Sequence, residues 1–368
     1  MLYVHIPYCH RKCTYCAFYS TVTAEGHQAY VDALCLELKR RRHSLEHPLR
    51  TVYFGGGTPT LLSVAQLAQI VEAIRNNYDT TALEETTIEA NPEDLTVAYL
   101  SDLRQLDFFN RISIGVQSFH DADLRLLNRR HDSRQAQEAL ENAAAAGFSN
   151  LSVDFIYGLP NQSLEAWLDN LHHLEGSPIH HLSAYSLTVE EGTMLHKQIG
   201  HGRVVPCDED ASLSHYQALL RWAADHDFHQ YEISNFARPG HTAVHNSRYW
   251  NRTPYLGVGA AAHSFDGLNR RWNVADTRRY IHSVMSGPIE HEEEELTLKD
   301  AHNEYLMTAL RTVAGIDKNL IAAPFANRLQ HDIQRFVTTG LILDTPTHYR
   351  PTPEGLLHAD GIAAELFL

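Results

Sequence analysis

From Leu2 to about His226, short apolar runs alternate with amphipathic stretches, and this alternation does most to narrow the folds open to the chain. Strands are expected at residues 2–6, 51–54, 86–89, 111–116, 151–156 and 182–187. Helices are expected near 30–42, 64–76, 97–106, 121–127 with 134–146, 164–174 and 211–226. The strand runs read as apolar on both faces, as strands buried in a parallel sheet are. Strands each followed by a helix imply right-handed crossovers. Such units either curl into most of a (β/α)6 barrel or spread into an open doubly wound sheet. A barrel gathers its chemistry at the C-terminal ends of its strands. The unusual residues fall there: three cysteines after the first strand, Gly55-Gly56-Gly57 after the second, Glu89 ending the third, Gln117 just past the fourth and Asp154 late in the fifth. That clustering favours a single site, in an α/β fold that is either a partial (β/α)6, TIM-like barrel or an open sheet.

Past His226 the alternation decays. Residues 230–273 read as short strands and loops rich in Asn, Arg and aromatics, and 277–285 as a short helix. The acidic run 292–295 reads as a solvated face and a boundary. Helices at 299–311, 320–328 and 332–339 precede a hairpin of 341–343 with 348–350 and a helix from Pro353, the order of a winged-helix-like α+β appendage. The expected organisation is a core over 1–230, a connecting region over 231–290, and a C-terminal domain over 291–368.

The formal net charge of −15 argues against nucleic acid as a partner, since a phosphate-backbone binder needs a basic face. Residues 1–7 lack the basic start and apolar run of a secretory signal, and no apolar stretch is long enough to span a bilayer. The expected compartment is the cytoplasm, where thiols stay reduced.

In that compartment, three of five cysteines within eight residues indicate metal or redox chemistry rather than a disulfide scaffold. Cys35 and Cys207 stand alone, and Cys35 reads as a small core residue. Cys9-x-x-x-Cys13-x-x-Cys16 offers three thiolates on one loop. A four-iron cubane held by three thiolates keeps one iron open for an amine and a carboxylate. Zinc with His5 or His10 as fourth ligand is the rival.

His5-Ile6-Pro7-Tyr8-Cys9, Cys13-Thr14-Tyr15-Cys16 and Gly55-Gly56-Gly57-Thr58-Pro59-Thr60 together resemble the radical SAM superfamily. Within it, the chain is similar to the oxygen-independent coproporphyrinogen III oxidase branch from Leu2 to about Phe265. The resemblance implies a [4Fe–4S] cluster on Cys9, Cys13 and Cys16 that binds S-adenosylmethionine (SAM) and passes an electron into its sulfonium. It also implies that Gly56, Gly57 and Thr58 contact the methionine part and that Tyr3 and Tyr15 flank the ligand. Glu89 would accept hydrogen bonds from the ribose, and Gln117, Arg129 and Asp154 complete the set.

Two features depart from the oxidase branch. Phe18 stands where the oxidase has a fourth cysteine, and the oxidase's N-terminal extension has no counterpart here. His245-Asn246-Ser247-Arg248-Tyr249-Trp250 resembles instead the HNxxYW signature of the HemW haem chaperones, and Cys16-Ala17-Phe18-Tyr19-Ser20 resembles their cluster loop. This second resemblance implies haem as a ligand, passed to apo-haemoproteins such as respiratory enzymes. His245 becomes a candidate axial ligand, competing with 24 other histidines among the 25. Tyr249 and Trp250 would pack on the macrocycle, and Arg248 or Arg252 would pair with propionates. A homodimer and peripheral membrane contact are compatible with this reading, and the cluster would organise the protein or gate transfer. The alternative is a catalytic enzyme that abstracts hydrogen from a porphyrinogen propionate with loss of carbon dioxide. A radical SAM enzyme acting on RNA is a third reading, opposed by the charge balance.

Overall fold

The computed structural model describes residues 1–23 and 25–368. The first part of the chain runs β1 (Leu2–Ile6), α1 (His27–Arg40), β2 (Thr51–Gly56), α2 (Val64–Asn77), β3 (Glu85–Ala90), α3 (Val97–Gln105), β4 (Arg111–Gln117), α4 (Asp121–Leu126), α5 (Ser133–Ala145), β5 (Asn150–Tyr157), α6 (Leu164–His172), β6 (His181–Ser186), α7 (Met194–Gly200) and α8 (Glu209–Asp225). Then come β7 (His229–Glu232), β8 (Asn235–Ala237), α9 (Val244–Trp250), β9 (Leu256–Val258), β10 (His263–Phe265), β11 (Asn269–Asn273), α10 (Thr277–Ser286) and β12 (His291–Glu295). Helix starts follow local chemistry: Ser63 with Gln66 and Asp132 with Gln135 form capping boxes at α2 and α5.

The main sheet has the order β7-β8-β6-β5-β4-β3-β2-β1-β9. Strands β1 to β6 are parallel neighbours in chain order, and β9 adds in parallel to the free side of β1. An unreversed order keeps right-handed crossovers on one face, so the sheet curls as a barrel and is not doubly wound. The barrel stays open, because β7 and β9 are edges with no pairing between them among the described residues.

The two faces of the strands differ, which corrects the expectation of apolar runs on both. In β4, Ile112, Ile114 and Val116 pack outward into the hydrophobic core, while Arg111, Ser113, Gly115 and Gln117 line the inner cavity. In β5 and β6, Asp154 and Ser183 face inward in the same way. Helix α7 escaped the sequence reading, and strands β7 to β9 fall in the region read as short strands without individual bounds, being too short to show a period.

Glu37 of α1, fully buried, ties the end of the barrel together. It accepts hydrogen bonds from Gly259 N (2.8 Å), Tyr280 Oη (2.6 Å), Asn273 Nδ2 (2.9 Å) and Arg41 Nη1 (3.2 Å). The acidic run expected as a boundary is the edge strand β12. It pairs with β11 so that Glu294 and Glu293 stand opposite Arg270 and Arg271, and every residue of it is exposed.

The last part comprises α11 (Leu298–Leu310), β13 (Ile316–Asp317), α12 (Ala323–Asp332), α13 (Gln334–Thr338), β14 (Ile342–Asp344), β15 (His348–Pro351), α14 (Pro353–Leu357) and α15 (Ala359–Leu366). Its three strands form a separate antiparallel sheet, and it has its own core around Leu306, Leu310, Ile333 and Ile362. It docks on β7 through backbone bonds from Ile233 to Arg311 and from Val313 to Tyr231.

Candidate functional site

The cysteine loop leaves β1 and is fastened on several sides. Cys9 N–H donates to Thr21 O, and Thr14 bonds the end of α4 at Leu126 O and Leu127 O. Leu195 N–H of α7 donates to Thr14 O, so the helix missed from sequence holds this loop. His5 Nε2–H donates to Tyr19 O (3.2 Å) and its Nδ1 accepts from Tyr3 Oη (3.0 Å). Burial lowers its pKa to about 4. To serve the zinc alternative, His5 would have to give up one of these hydrogen bonds.

Each cysteine thiol sits at the top of one cavity of about 710 Å³. Thr58 Oγ1 donates to Cys9 Sγ (3.8 Å), and Arg129 Nη1 donates to Cys13 Sγ (3.5 Å). Burial pushes the Cys9 and Cys16 thiols up, so in the free protein both hold their protons. No three His, Cys, Asp or Glu side chains converge at single-ion distances among the described residues. Such a spread fits a cubane, in which three of the four irons take one thiolate each, better than a mononuclear centre.

Strand β2 delivers the glycines under this loop. Gly56 has φ 112°, and a Cβ there would overlap the His5 ring; one on Gly57 would come within 2.6 Å of Tyr8 O. Gly56 N–H donates to Glu89 Oε2 (3.0 Å), and Tyr53 Oη donates to Glu89 Oε1 (2.7 Å). Burial, reinforced by the Asp154 carboxylate, raises Glu89 to about 7. Asp154 is raised by burial as well and accepts from Ser113 Oγ (3.2 Å). Arg129 also bonds Gly115 O (2.7 Å) and Asn91 Oδ1, while its buried Nε has no partner in the protein. Gln117 ends β4 at φ 67°, a left-handed conformation that turns its side chain into the site.

The structure brings the three cysteines, the nine expected SAM contacts, His245 and Tyr249 to the wall of this one cavity, whereas Arg248, Trp250 and Arg252 do not line it. It adds Tyr53, Asn91 and Arg111, which sequence reasoning missed. Tyr53 carried a signal in retrospect, two residues ahead of the glycine run in the inward register of β2.

His245 lies at the opposite end of the cavity from the cysteines. Helix α9 plugs the floor of the barrel, with Glu85 of β3 capping its N–H groups at Val244 (2.8 Å) and His245 (2.9 Å). The imidazole is 1% exposed, stacks on Tyr53, and bonds Thr51 Oγ1 through Nδ1 (2.8 Å) and Tyr249 Oη through Nε2 (3.1 Å). Burial lowers its pKa to about 3, so it is neutral. An axial bond to iron requires one of those hydrogen bonds to open. The motif's cationic neighbours are also engaged: Arg248 pairs with Glu84 (3.4 Å), Arg252 with Glu304 (2.5 Å), and Trp250 packs under Arg311. Either arginine would have to share or exchange its carboxylate partner to meet a propionate, and Arg248 keeps a buried Nε without a partner.

The family model described as the radical SAM superfamily matches residues 3–174, and the HemN C-terminal domain model matches residues 296–358. A Bacillus subtilis protein named "Heme chaperone HemW" is 33% identical over 331 residues, covering 89% of this chain and 87% of that one. Its namesake from Lactococcus lactis is 34% identical over 318 residues, covering 85% and 82%. The solved structure of the Escherichia coli coproporphyrinogen III oxidase HemN, a radical SAM enzyme, matches with a TM-score of 0.85 at 25% identity, covering 100% of this chain and 89% of that one. With its cysteine loop, glycine turn and floor helix on one barrel, and relatives matched over most of their length, the chain belongs to the HemW family of the radical SAM superfamily.

Proposed function

We propose that this protein is a haem chaperone: it binds haem, delivers it to apo-haemoproteins such as respiratory enzymes, and carries a [4Fe–4S] cluster with SAM at the same cavity. The observation that carries the reading is the meeting of two motifs. The cysteine loop and the HNxxYW helix, far apart in sequence, line a single space of about 710 Å³. Cys9, Cys13 and Cys16 would hold the cluster, which when reduced supplies an electron to bound SAM. Gly56 and Thr58 lie beside Cys9 to receive the methionine end, and the unpartnered Nε of Arg129 is a free donor beside Cys13. Glu89 is held by Tyr53 and Gly56 with its carboxylate toward the cavity, where it accepts ribose hydroxyls.

That role for Glu89 has a pH signature. Its raised pKa means that protonation competes with acceptance of the ribose bonds below about 7. SAM affinity, measured by equilibrium dialysis on reconstituted protein, is expected to rise as pH climbs through that value. Glu89→Gln is expected to bind weakly at every pH; an unchanged affinity removes the ribose role.

Haem titrated into anaerobically reconstituted protein, followed in the Soret band, is expected to saturate at a single haem per chain. A cavity of this size suits one macrocycle, so a second equivalent of haem is expected to stay free. His245→Ala run alongside tests the axial ligand: weakened binding with a changed Soret position supports it, and an unchanged spectrum moves the ligand elsewhere. Absence of saturation sinks the chaperone reading.

The superposition on the coproporphyrinogen oxidase favours a second reading, oxidative decarboxylation of a porphyrinogen. Phe18, 73% exposed beside Cys16, replaces the extra cysteine of that branch and weighs against it. Turnover of coproporphyrinogen III with SAM and a reductant would reverse the order of the two.

A further inference from the structure

A charged side chain at the floor of the barrel is buried with two of its donor atoms unmet. Arg111 opens β4 six residues before Gln117, which sets it about 20 Å along the strand from the cysteine end, at about 3.3 Å per residue. It is 3% exposed and lines the cavity. Among the described residues neither Nε nor Nη1 has a hydrogen-bond partner. The nearest counter-charge, Glu85 Oε2, lies 3.8 Å from Nε, too far for a hydrogen bond, and both Glu85 oxygens already accept from the start of α9. Its cross-strand neighbours Thr87 and Asn150 each bury an unpartnered oxygen, Oγ1 and Oδ1, while several other groups around it are matched. His181 bonds Ser152 Oγ (2.7 Å) and Tyr231 Oη (2.8 Å), Asn246 Nδ2 reaches Tyr231 Oη (3.5 Å), and Asp154 is held by Ser113.

A guanidinium buried with unmet donors is costly, and its planar fork fits a carboxylate in two parallel bonds. The cavity thus has a guanidinium at each end, Arg129 beside Cys13 and Arg111 at the floor. We propose that Arg111 anchors a carboxylate of a second ligand that occupies the barrel below the SAM-contacting residues. On the haem reading, on which this assignment rests, that carboxylate is a propionate. The anchor fixes the ring's orientation and distinguishes a porphyrin with free acid arms from one without.

The probes are haem and haem dimethyl ester, each titrated into the reconstituted full chain in the Soret band. The wild type is expected to bind haem about tenfold to a hundredfold more tightly than the diester, the range for a charge-assisted bond in a buried site. Arg111→Gln is expected to lose that preference and bind haem as weakly as the wild type binds the diester. Arg111→Lys, which keeps the charge and loses the fork, is expected to fall between. Equal wild-type affinity for haem and diester, which needs no variant and no assumption about folding, overturns the anchor alone. So does haem affinity unchanged in a folded Arg111→Gln. No saturable haem binding by the wild type overturns both the anchor and the chaperone reading.

Discussion

Replacing Cys13 with Ala is expected to abolish the visible iron–sulfur absorbance and the bound iron of anaerobically reconstituted protein, and SAM binding with them. Three thiolates are the fewest that hold a cubane while leaving one iron open, and all three come from one loop. Cys13 is also the sulfur to which Arg129 donates, so its loss strips a buried guanidinium of one of its partners. Cys35 and Cys207 supply the controls. Cys35 donates to Gln69 O on the helical layer, and Cys207 bonds the carbonyl of the next residue. Neither lines the cavity, so Cys35→Ala and Cys207→Ala are expected to keep full iron content. Normal absorbance in Cys13→Ala, or stoichiometric zinc in the wild type purified without oxygen, ends the cluster assignment.

Glu37→Ala is expected to destabilise the fold by about 3–5 kcal/mol, the range for breaking a buried charge network by removing one member. A domain's whole stability is about 5–15 kcal/mol, so the variant stands near the edge of folding. The reason is the number of groups orphaned together. Gly259 N–H, the Tyr280 hydroxyl, the Asn273 amide and Arg41 all lose an acceptor in a site that water does not reach. Those groups belong to α1, the segment after β9, β11 and α10, so one carboxylate fastens four pieces of chain. Glu37→Gln keeps the shape and one acceptor oxygen, which can retain two of the four bonds, and is expected to cost less. Urea unfolding followed by circular dichroism reads the difference; a midpoint in Glu37→Ala equal to the wild type contradicts the network's role.

The strand and helix positions of the barrel were legible because period carries that information, and most boundaries fall within two residues of the expected ones. What period did not reveal is which face of a strand meets water-filled space. Arg-Ile-Ser-Ile-Gly-Val-Gln reads as a buried strand from its isoleucines and valine, yet its alternate residues are polar and build the cavity. The acidic run was rightly taken as solvated, but its pairing with Arg270 and Arg271 is a register relation that only three dimensions contain. His245 shows the same limit from the chemical side. Its residue type matched a ligand, whereas Thr51 and Tyr249, which occupy its nitrogens, come from a distant strand and the next helical turn. Arg111 carried no local signal, since an arginine opening a strand is common and its lack of partners is a property of the packed interior.

The floor helix also dictates an order of events during synthesis. The three loop cysteines and every proposed SAM contact have left the ribosome once Asp154 has emerged, but the plug at Val244–Trp250 and the strand Leu256–Val258, which covers the outer edge of β1, have not. Through that interval the nascent barrel is a channel open at both ends, with a bare strand edge beside the cysteine loop. On the proposed function, cluster loading and macrocycle entry would thus have a second route early in synthesis. After α9 seats on Glu85 they are left with the mouth alone.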